Sequence, residues 1–268
     1  MSFFRKLAKS LALLLVGRKF KPRRILRGLA SGYKISVSPA EHFSYLLGTY
    51  EPYLQAAIRK YVRAGDVVYD IGANIGYVSL ALAKQVGPRG RVIAFEPIPE
   101  NVSLLRQNIA QNRVANVCVL EKAASNASGE GVLRVSGNYA TASLVWHRHD
   151  PKAVEVGAKT IALDDCAGSG EIPPPRFVKI DVEGGEALVL EGMQKLLAAS
   201  KPVVFIECSD AGREASWKLL TSLGYRCQSA LTRRWIQTLD DYRASDFIWV
   251  PQGPTAWHPA SPKSANYR

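Results

Sequence analysis

The sequence has no long hydrophobic run. The longest run of apolar residues, Leu11–Val16, has six residues, whereas a helix that spans a bilayer needs about 20. The flanking residues also lack the small-residue cleavage site of a secretory signal. We therefore expect neither a membrane-spanning helix nor a cleaved leader in this chain.

Cysteine pairs are absent as well. The four cysteines are far apart, and no two of them form a Cys-x-x-Cys motif, so the sequence favours neither a zinc site nor a disulfide framework. Ordinary thiols are typical of a reducing compartment. We expect free cysteines and a cytoplasmic location.

Acidic residues are missing from the first 34 positions, which hold ten lysines or arginines. The remaining residues carry 25 basic and 23 acidic side chains, so +10 of the net charge of +12 belongs to the N-terminal segment. We predict a basic N-terminal arm or helix over 1–39, one domain over 40–250 and a flexible tail over 251–268. An interfacial helix within 1–30 that contacts anionic lipid is one interpretation of the arm. A helix that packs on the domain, or a frayed terminus, is the alternative.

The most informative stretch lies at 65–80. Val67–Tyr69 reads as a buried strand, and apolar residues recur at helical spacing from Ile75 onward. Gly72 and Gly76 lie in the turn between the strand and the helix. Glycine in such a turn allows positive φ and the close approach of a ligand, so the turn predicts a small-molecule site.

The charges near this turn indicate which ligand it binds. A carboxylate, Asp70, opens the turn, and it would repel the pyrophosphate of a dinucleotide but attract a cation. Glu96 ends the next predicted strand, where an acid accepts hydrogen bonds from a ribose diol. Together the two acids favour S-adenosylmethionine, whose methionine end is cationic, over a nicotinamide cofactor.

Further strands and helices alternate along the chain. The order β-α-β-α-β predicts a parallel sheet with right-handed crossovers, interrupted by a glycine-containing hairpin or insertion over 125–147. Asp181 and Glu207 follow two later strands, and a hairpin over 224–250 supplies an antiparallel member. Several acids at one edge of a sheet repel one another, so their presence indicates that they bind a cation or transfer a proton.

These residues resemble the FkbM-type S-adenosylmethionine-dependent methyltransferases. The matching stretches are YEP at 50–52, GDVVYDIGANIGYVSL at 65–80, VIAFEP at 92–97, LDD at 163–165 and FVKIDVEGGE at 177–186. The resemblance implies an α/β class I methyltransferase fold, which is Rossmann-like. That fold has a seven-stranded, mostly parallel sheet with one antiparallel strand and helices on both faces.

The resemblance also implies roles for individual residues. Asp70, Gly72 and Gly76 would shape the methionine pocket, and Glu96 would hold the ribose. Glu51 and Asp181 would line the cofactor or acceptor side. Asn74 and Pro97, within the same matching stretches, complete the predicted cofactor-binding set.

Methyl transfer is an in-line displacement, so the protein mainly aligns the acceptor with the methyl group. A hydroxyl acceptor also needs a base, and Asp181, Glu183 and His147 are the predicted candidates. Glu183 has a structural alternative, in which it caps the following helix or pairs with Lys179. We predict no metal site, although a magnesium-assisted mechanism through Asp181 and Glu207 is an alternative.

The predicted function is O-methylation of a small-molecule, lipid-linked or glycan acceptor. One rival is a nucleic-acid methyltransferase that uses the basic arm, and its binding would weaken steeply with salt. Another is a cofactor-binding scaffold at a membrane that transfers no methyl group. The sequence leaves open the acceptor and the oligomeric state.

Overall fold

The structure is a computed structural model, and it describes residues 20–136, 141–143, 153–241 and 246–253. The predicted catalytic residue His147 lies outside the described residues, as do positions 1–19 of the predicted arm and 254–268 of the predicted tail. The domain boundaries proposed from the sequence therefore stay predictions.

The described residues form fourteen strands and eight α-helices. The strands are β1 (Lys21–Arg24), β2 (Lys34–Val37), β3 (Val67–Ile71), β4 (Arg91–Phe95), β5 (Val117–Leu120), β6 (Ala123–Ala124), β7 (Gly129–Ser136), β8 (Thr141–Ser143), β9 (Val154–Ile161), β10 (Phe177–Ile180), β11 (Val203–Glu207), β12 (Tyr225–Ser229), β13 (Trp235–Ile236) and β14 (Asp246–Pro251). The helices are α1 (Pro39–Leu47), α2 (Pro52–Tyr61), α3 (Tyr77–Val86), α4 (Pro99–Gln111), α5 (Leu163–Ser169), α6 (Glu186–Glu191), α7 (Gln194–Ser200) and α8 (Asp210–Ser222).

One large sheet organises the domain, with strand order β13-β12-β14-β11-β10-β3-β4-β5. Strands β11, β10, β3, β4 and β5 are mutually parallel, and β14 runs antiparallel to both of its neighbours. The predicted mostly parallel α/β fold with helices on both faces is confirmed. The predicted count of seven strands was one too low, because the two-residue strand β13 adds a second antiparallel member at the edge.

Alternating side chains of the central strands enter two separate cores. Val68 of β3 and Phe177 of β10 pack with helices α2 and α3 on one face. Tyr69 and Ile180 face the other way, into a core that includes apolar residues of α5 to α8. Because strand side chains alternate, Asp70 and Lys179 share the α3 face with Val68 and Phe177.

The insertion predicted over 125–147 belongs to a second sheet of order β6-β9-β7-β8. Strands β7 and β9 pair antiparallel along seven residue pairs, from Gly129 with Thr160 to Val135 with Val154. Leu133 and Val135 of β7 bury their side chains with Ile98 and Ala123. This sheet therefore packs beside the start of α4, at the edge where β4 ends.

Residues 20–38, which the sequence analysis assigned to the basic arm, form an antiparallel hairpin of β1 and β2. Ile25, Ile35 and Val37 are fully buried in the core that also holds α2 and α3. A side chain of α4 holds the buried strand β2, since Asn108 Oδ1 accepts a hydrogen bond of 2.7 Å from the Ser36 amide. This part of the arm is integral to the domain.

Within the described ranges, no helix combines the length and apolar character needed to cross a bilayer. The four cysteines are free thiols, with Cys118 exposed and the other three buried. The cytoplasmic location expected from them stays a prediction.

Candidate active site

A cleft opens at the carboxyl ends of β3, β4 and β10. Open α/β sheets bind ligands at this edge, where the strand order reverses. Six predicted cofactor or catalytic residues line it together: Gly72, Asn74, Glu96, Pro97, Asp181 and Glu183. Asp70, Gly76 and Glu51 do not line the cleft.

The two glycines of the turn have the predicted positive φ, and they also serve the packing of the protein chain. Gly72 has φ +78°, and a Cβ there would lie 1.8 Å from the Asp181 carbonyl oxygen. A Cβ at Gly76, with φ +90°, would lie 2.4 Å from Leu105 Cδ1. Position 72 thus requires glycine because the ends of β3 and β10 approach each other there. Position 76 requires it because α3 packs closely against α4.

Asp70 is fully buried beneath the cleft. Its Oδ2 accepts a hydrogen bond of 2.6 Å from Ser79 Oγ on α3, and its Oδ1 lies 3.4 Å from Lys179 Nζ. Asp70 and Lys179 are register partners on β3 and β10, which explains their pairing. The direct attraction predicted between Asp70 and a cationic ligand is therefore replaced by an internal ion pair.

Lys179 links Asp70 to the cleft. Its Nζ donates to the Gly72 carbonyl at 2.8 Å and lies 3.2 Å from Asp181 Oδ2. Burial disfavours the ammonium, but the carboxylates of Asp181 and Asp70 outweigh it and raise the pKa of Lys179 above its ordinary value. Lys179 therefore stays charged. Of its two carboxylate partners, Asp181 is the one that reaches the cleft, with a side chain 23% exposed.

Glu96 follows β4, which lies across β3 from the strand that precedes Asp181, and it is 5% exposed. Its Oε2 accepts a hydrogen bond of 2.7 Å from the Asn74 amide, and its Oε1 accepts from the Ile98 amide and Asn101 Nδ2. Burial raises the pKa of Glu96, and these donors oppose that shift. A carboxylate has about four acceptor positions, so these three bonds leave capacity for a ligand hydroxyl.

Tyr45, Tyr50 and Tyr77 line the cleft near Asp181, and we call them the tyrosine wall. The sequence analysis did not single them out. The ring centroid of Tyr45 lies 4.4 Å from that of Tyr50 and 4.7 Å from that of Tyr77. Gln55 holds this wall, because its Nε2 donates to the Tyr50 carbonyl at 2.7 Å and lies 3.5 Å from the Tyr77 hydroxyl. Burial raises the pKa of Tyr45 to about 12 and that of Tyr50 further. These phenols therefore stay protonated at neutral pH.

Beyond Asp181, the sheet edge carries a second set of acids, Glu51, Glu207 and Asp246. Glu207 and Asp246 are register partners on β11 and β14, and one carboxylate oxygen of each of the three residues lies within 4.8 Å of the others. Such oxygens can share protons or a hard cation.

Both glutamates of this set have raised pKa values. Burial, with the charges of Asp246 and Asp181, raises the pKa of Glu51 to about 7. Burial, with Asp181, Glu51 and Asp246, raises the pKa of Glu207 to about 8. Glu51 begins α2 with a left-handed φ of +45° and makes no side-chain cap. It therefore lies with the acids and does not bond the first turn of its helix.

Glu183 is exposed at the rim, with a left-handed φ of +54°. Glu186, the first residue of α6, accepts from the Gly184 amide at 2.6 Å and from Ser209 Oγ at 2.9 Å. Lys179, the other partner considered for Glu183, pairs with Asp70 and Asp181.

Comparison with known proteins decides the family. The model of the methyltransferase FkbM domain matches residues 70–243, more than half of the chain. The chain belongs to the FkbM methyltransferase family. The family and the cofactor predicted from the sequence, S-adenosylmethionine, are thereby confirmed.

Two curated relatives match about half of this chain. Hexuronic acid methyltransferase AglP from Haloferax volcanii is 32% identical over 139 residues, which are 52% of this chain and 54% of that protein. The 31-O-demethyl-FK506 methyltransferase FkbM from Streptomyces tacrolimicus is 29% identical over 160 residues, or 50% and 61% of the two chains. This FkbM-family chain thus spans little more than half the length of these relatives.

A solved structure is also similar to this chain. It is a methyltransferase FkbM from Methylobacillus flagellatus, which is 20% identical with a TM-score of 0.42. The alignment covers 69% of this chain and 43% of the other.

The residues present suit the cofactor of an FkbM-family methyltransferase. Glu96 is a buried carboxylate with an acceptor position left for a hydroxyl, and Asp181 is a carboxylate that lines the cleft across β3 from it. The tyrosine rings beside Asp181 offer faces that attract a cation.

Proposed function

We propose that this FkbM-family domain methylates a hydroxyl group of a small-molecule, lipid-linked or glycan acceptor. The observation that carries the proposal is the division of the sheet edge into two sides. Above β3 and β4 lies the cleft, in which the buried acid Glu96 has partners within the protein, as does Asp70 beneath the cleft. Above β11 and β14 lie three acids that face one another, of which Glu51 and Glu207 have raised pKa values. We call these the β3–β4 side and the β11–β14 side.

On the β3–β4 side, the chain binds and orients the donor. Glu96 accepts from the ribose hydroxyls, and Asp181 with the wall of Tyr45, Tyr50 and Tyr77 faces the cationic methionine end. When bound, S-adenosylmethionine supplies the methyl group as an electrophile with a neutral leaving group. Asp70 acts as a positioning residue, since it holds Lys179 and through it Asp181.

On the β11–β14 side, the chain receives the acceptor and its proton. As the acceptor oxygen bonds to the methyl carbon, its proton passes to a carboxylate, for which we assign Glu207 with Glu51 beside it. A base works best when its pKa lies near the operating pH, and the values of about 8 and about 7 meet that condition. Asp181, the base candidate from the sequence, is already paired with Lys179 at 3.2 Å, so we assign it to the donor.

The acceptor class is supported by the relatives. One acts on a hexuronic acid and the other on 31-O-demethyl-FK506, as their names state. Neither name refers to a nucleic acid.

The test is transfer of label from methyl-labelled S-adenosylmethionine to fractionated lipid, glycan, small-metabolite and RNA extracts. We expect label in one of the first three fractions, in an ether linkage that survives mild base. Label in RNA alone would support the nucleic-acid rival. Donor binding without label in any fraction would support the non-catalytic scaffold.

A further inference from the structure

The hairpin of β1 and β2 has one face in the core and another in solvent. Ile25, Ile35 and Val37 are fully buried, whereas Phe20 is 45% exposed and Leu26 is 65% exposed. Exposed apolar side chains of this size are normal when single. Here Lys21, Arg24 and Arg27, all exposed, lie between or beside them. We call the exposed side chains of these five residues the hairpin surface.

All the charged residues of the hairpin surface are positive. The first acidic residue of the sequence is Glu41, and the preceding residues hold ten lysines or arginines. Cations interspersed with apolar side chains match a surface of anionic headgroups above acyl chains. A nucleic acid would use the cations but would leave Leu26 without a partner.

The hairpin surface is rigidly connected to the cleft. The Leu26 amide donates to the Leu46 carbonyl of α1 at 2.9 Å. A Cβ at Gly48 would lie 1.9 Å from the Arg27 carbonyl oxygen, so the two segments are in direct backbone contact. Helix α1 carries Tyr45, which walls the cleft, and also Phe43, which is 37% exposed. One helix thus separates the hairpin surface from the tyrosine wall.

We propose that the hairpin surface docks on an anionic lipid membrane and thereby presents the cleft to an acceptor held in that membrane. This inference rests on the proposed methyl transfer and narrows its acceptor to a lipid-linked molecule. The binding itself needs no catalysis, so docking and methyl transfer can fail independently.

The test is co-sedimentation of the full chain with vesicles of phosphatidylcholine alone and of phosphatidylcholine with phosphatidylglycerol. We expect binding to the anionic vesicles only, and weaker binding as salt rises. Lys21→Gln and Arg24→Gln should each lower the partition coefficient about fivefold. Phe20→Ser and Leu26→Ser should lower it by a similar factor, since each removes apolar area from the interface.

Matched controls are Val154→Ser on β9 and Leu231→Ser after β12, which are 62% and 53% exposed elsewhere on the protein. S-adenosylmethionine affinity, measured by calorimetry on every variant, shows that the cleft is intact. Absence of binding to anionic vesicles would overturn the proposal, as would equal losses in the control variants. Tighter binding to RNA than to anionic vesicles, lost in the same variants, would assign the hairpin surface to a nucleic acid instead.

Discussion

The β3–β4 side and the β11–β14 side of the sheet edge both carry carboxylates, but they stabilise them differently. Glu96 accepts from two amides and a side-chain nitrogen, and Asp70 pairs with Lys179 and Ser79. Glu51, Glu207 and Asp246 instead face one another. Donors and a cation favour the charged form of an acid and oppose the effect of its burial. Burial together with mutual repulsion prepares an acid to take up a proton near neutral pH.

The largest effect should come from the β11–β14 side. Glu207→Gln removes the proposed base and is expected to lower kcat by about 10²- to 10⁴-fold while donor affinity stays unchanged. Steady-state kinetics with the labelled acceptor fraction measures both parameters. Glu130→Gln, an exposed change on β7, is the matched control. Equal kcat values for the two variants would remove Glu207 from the reaction.

A loss of stability should follow from Lys179→Met. The change leaves the carboxylate of Asp70 buried without its cation, which costs about 3–5 kcal/mol of unfolding free energy. Urea unfolding measures this, with exposed Lys195→Met on α7 as the control. The double variant Lys179→Met/Asp70→Asn should regain part of the loss. A cost no larger than that of Lys195→Met would contradict the buried pair.

Donor affinity should depend on the β3–β4 side. Glu96→Gln weakens a charged hydrogen bond worth about 1.5–3 kcal/mol, so the Kd for S-adenosylmethionine should rise about 10- to 100-fold. Glu100→Gln, exposed in the first turn of α4, should leave it unchanged. An unaltered Kd in Glu96→Gln would mean that the ribose binds elsewhere.

The smallest effect concerns pH. The pKa of Glu207 in the folded protein is about 8, above the ordinary value of about 4.5. Folding therefore takes up a proton, and the stability that this group contributes is lost as pH rises from about 4.5 to about 8. Glu207→Gln avoids this loss. It should raise Tm relative to wild type at pH 8.5 by about 2–4 °C, after allowance for solvent screening, and change it little at pH 4.5. A Tm difference of the same size at both pH values would contradict the shift.

Much of the β3–β4 side could be predicted from the sequence because its signals are local. The strand, the glycine turn and Glu96 lie within about one βαβ unit, which has a characteristic residue pattern. The cleft accordingly contains Gly72, Asn74, Glu96 and Pro97. The role of Asp70 was misjudged, because its partner Lys179 lies inside a strand that reads as apolar and is matched to Asp70 only by the register of β10 with β3.

The β11–β14 side was harder to predict because it depends on contacts between distant segments. Glu207 meets Asp246 only through the antiparallel pairing of β11 with β14. Glu51 joins them from the start of α2, in a backbone conformation that residue type does not indicate. The tyrosine wall likewise combines α1, the α1–α2 loop and α3. Three separated tyrosines have no shared sequence pattern.

The central claim is that the donor binds on one side of the edge and the proton is taken up on the other. Calorimetric titration of S-adenosylmethionine into wild type, Glu96→Gln and Glu207→Gln tests it most directly. We expect one binding site per chain in all three, with the Kd raised about 10- to 100-fold in Glu96→Gln and unchanged in Glu207→Gln. Loss of affinity in Glu207→Gln, with Glu96→Gln unaffected, would reverse the assignment of the two sides and contradict the account.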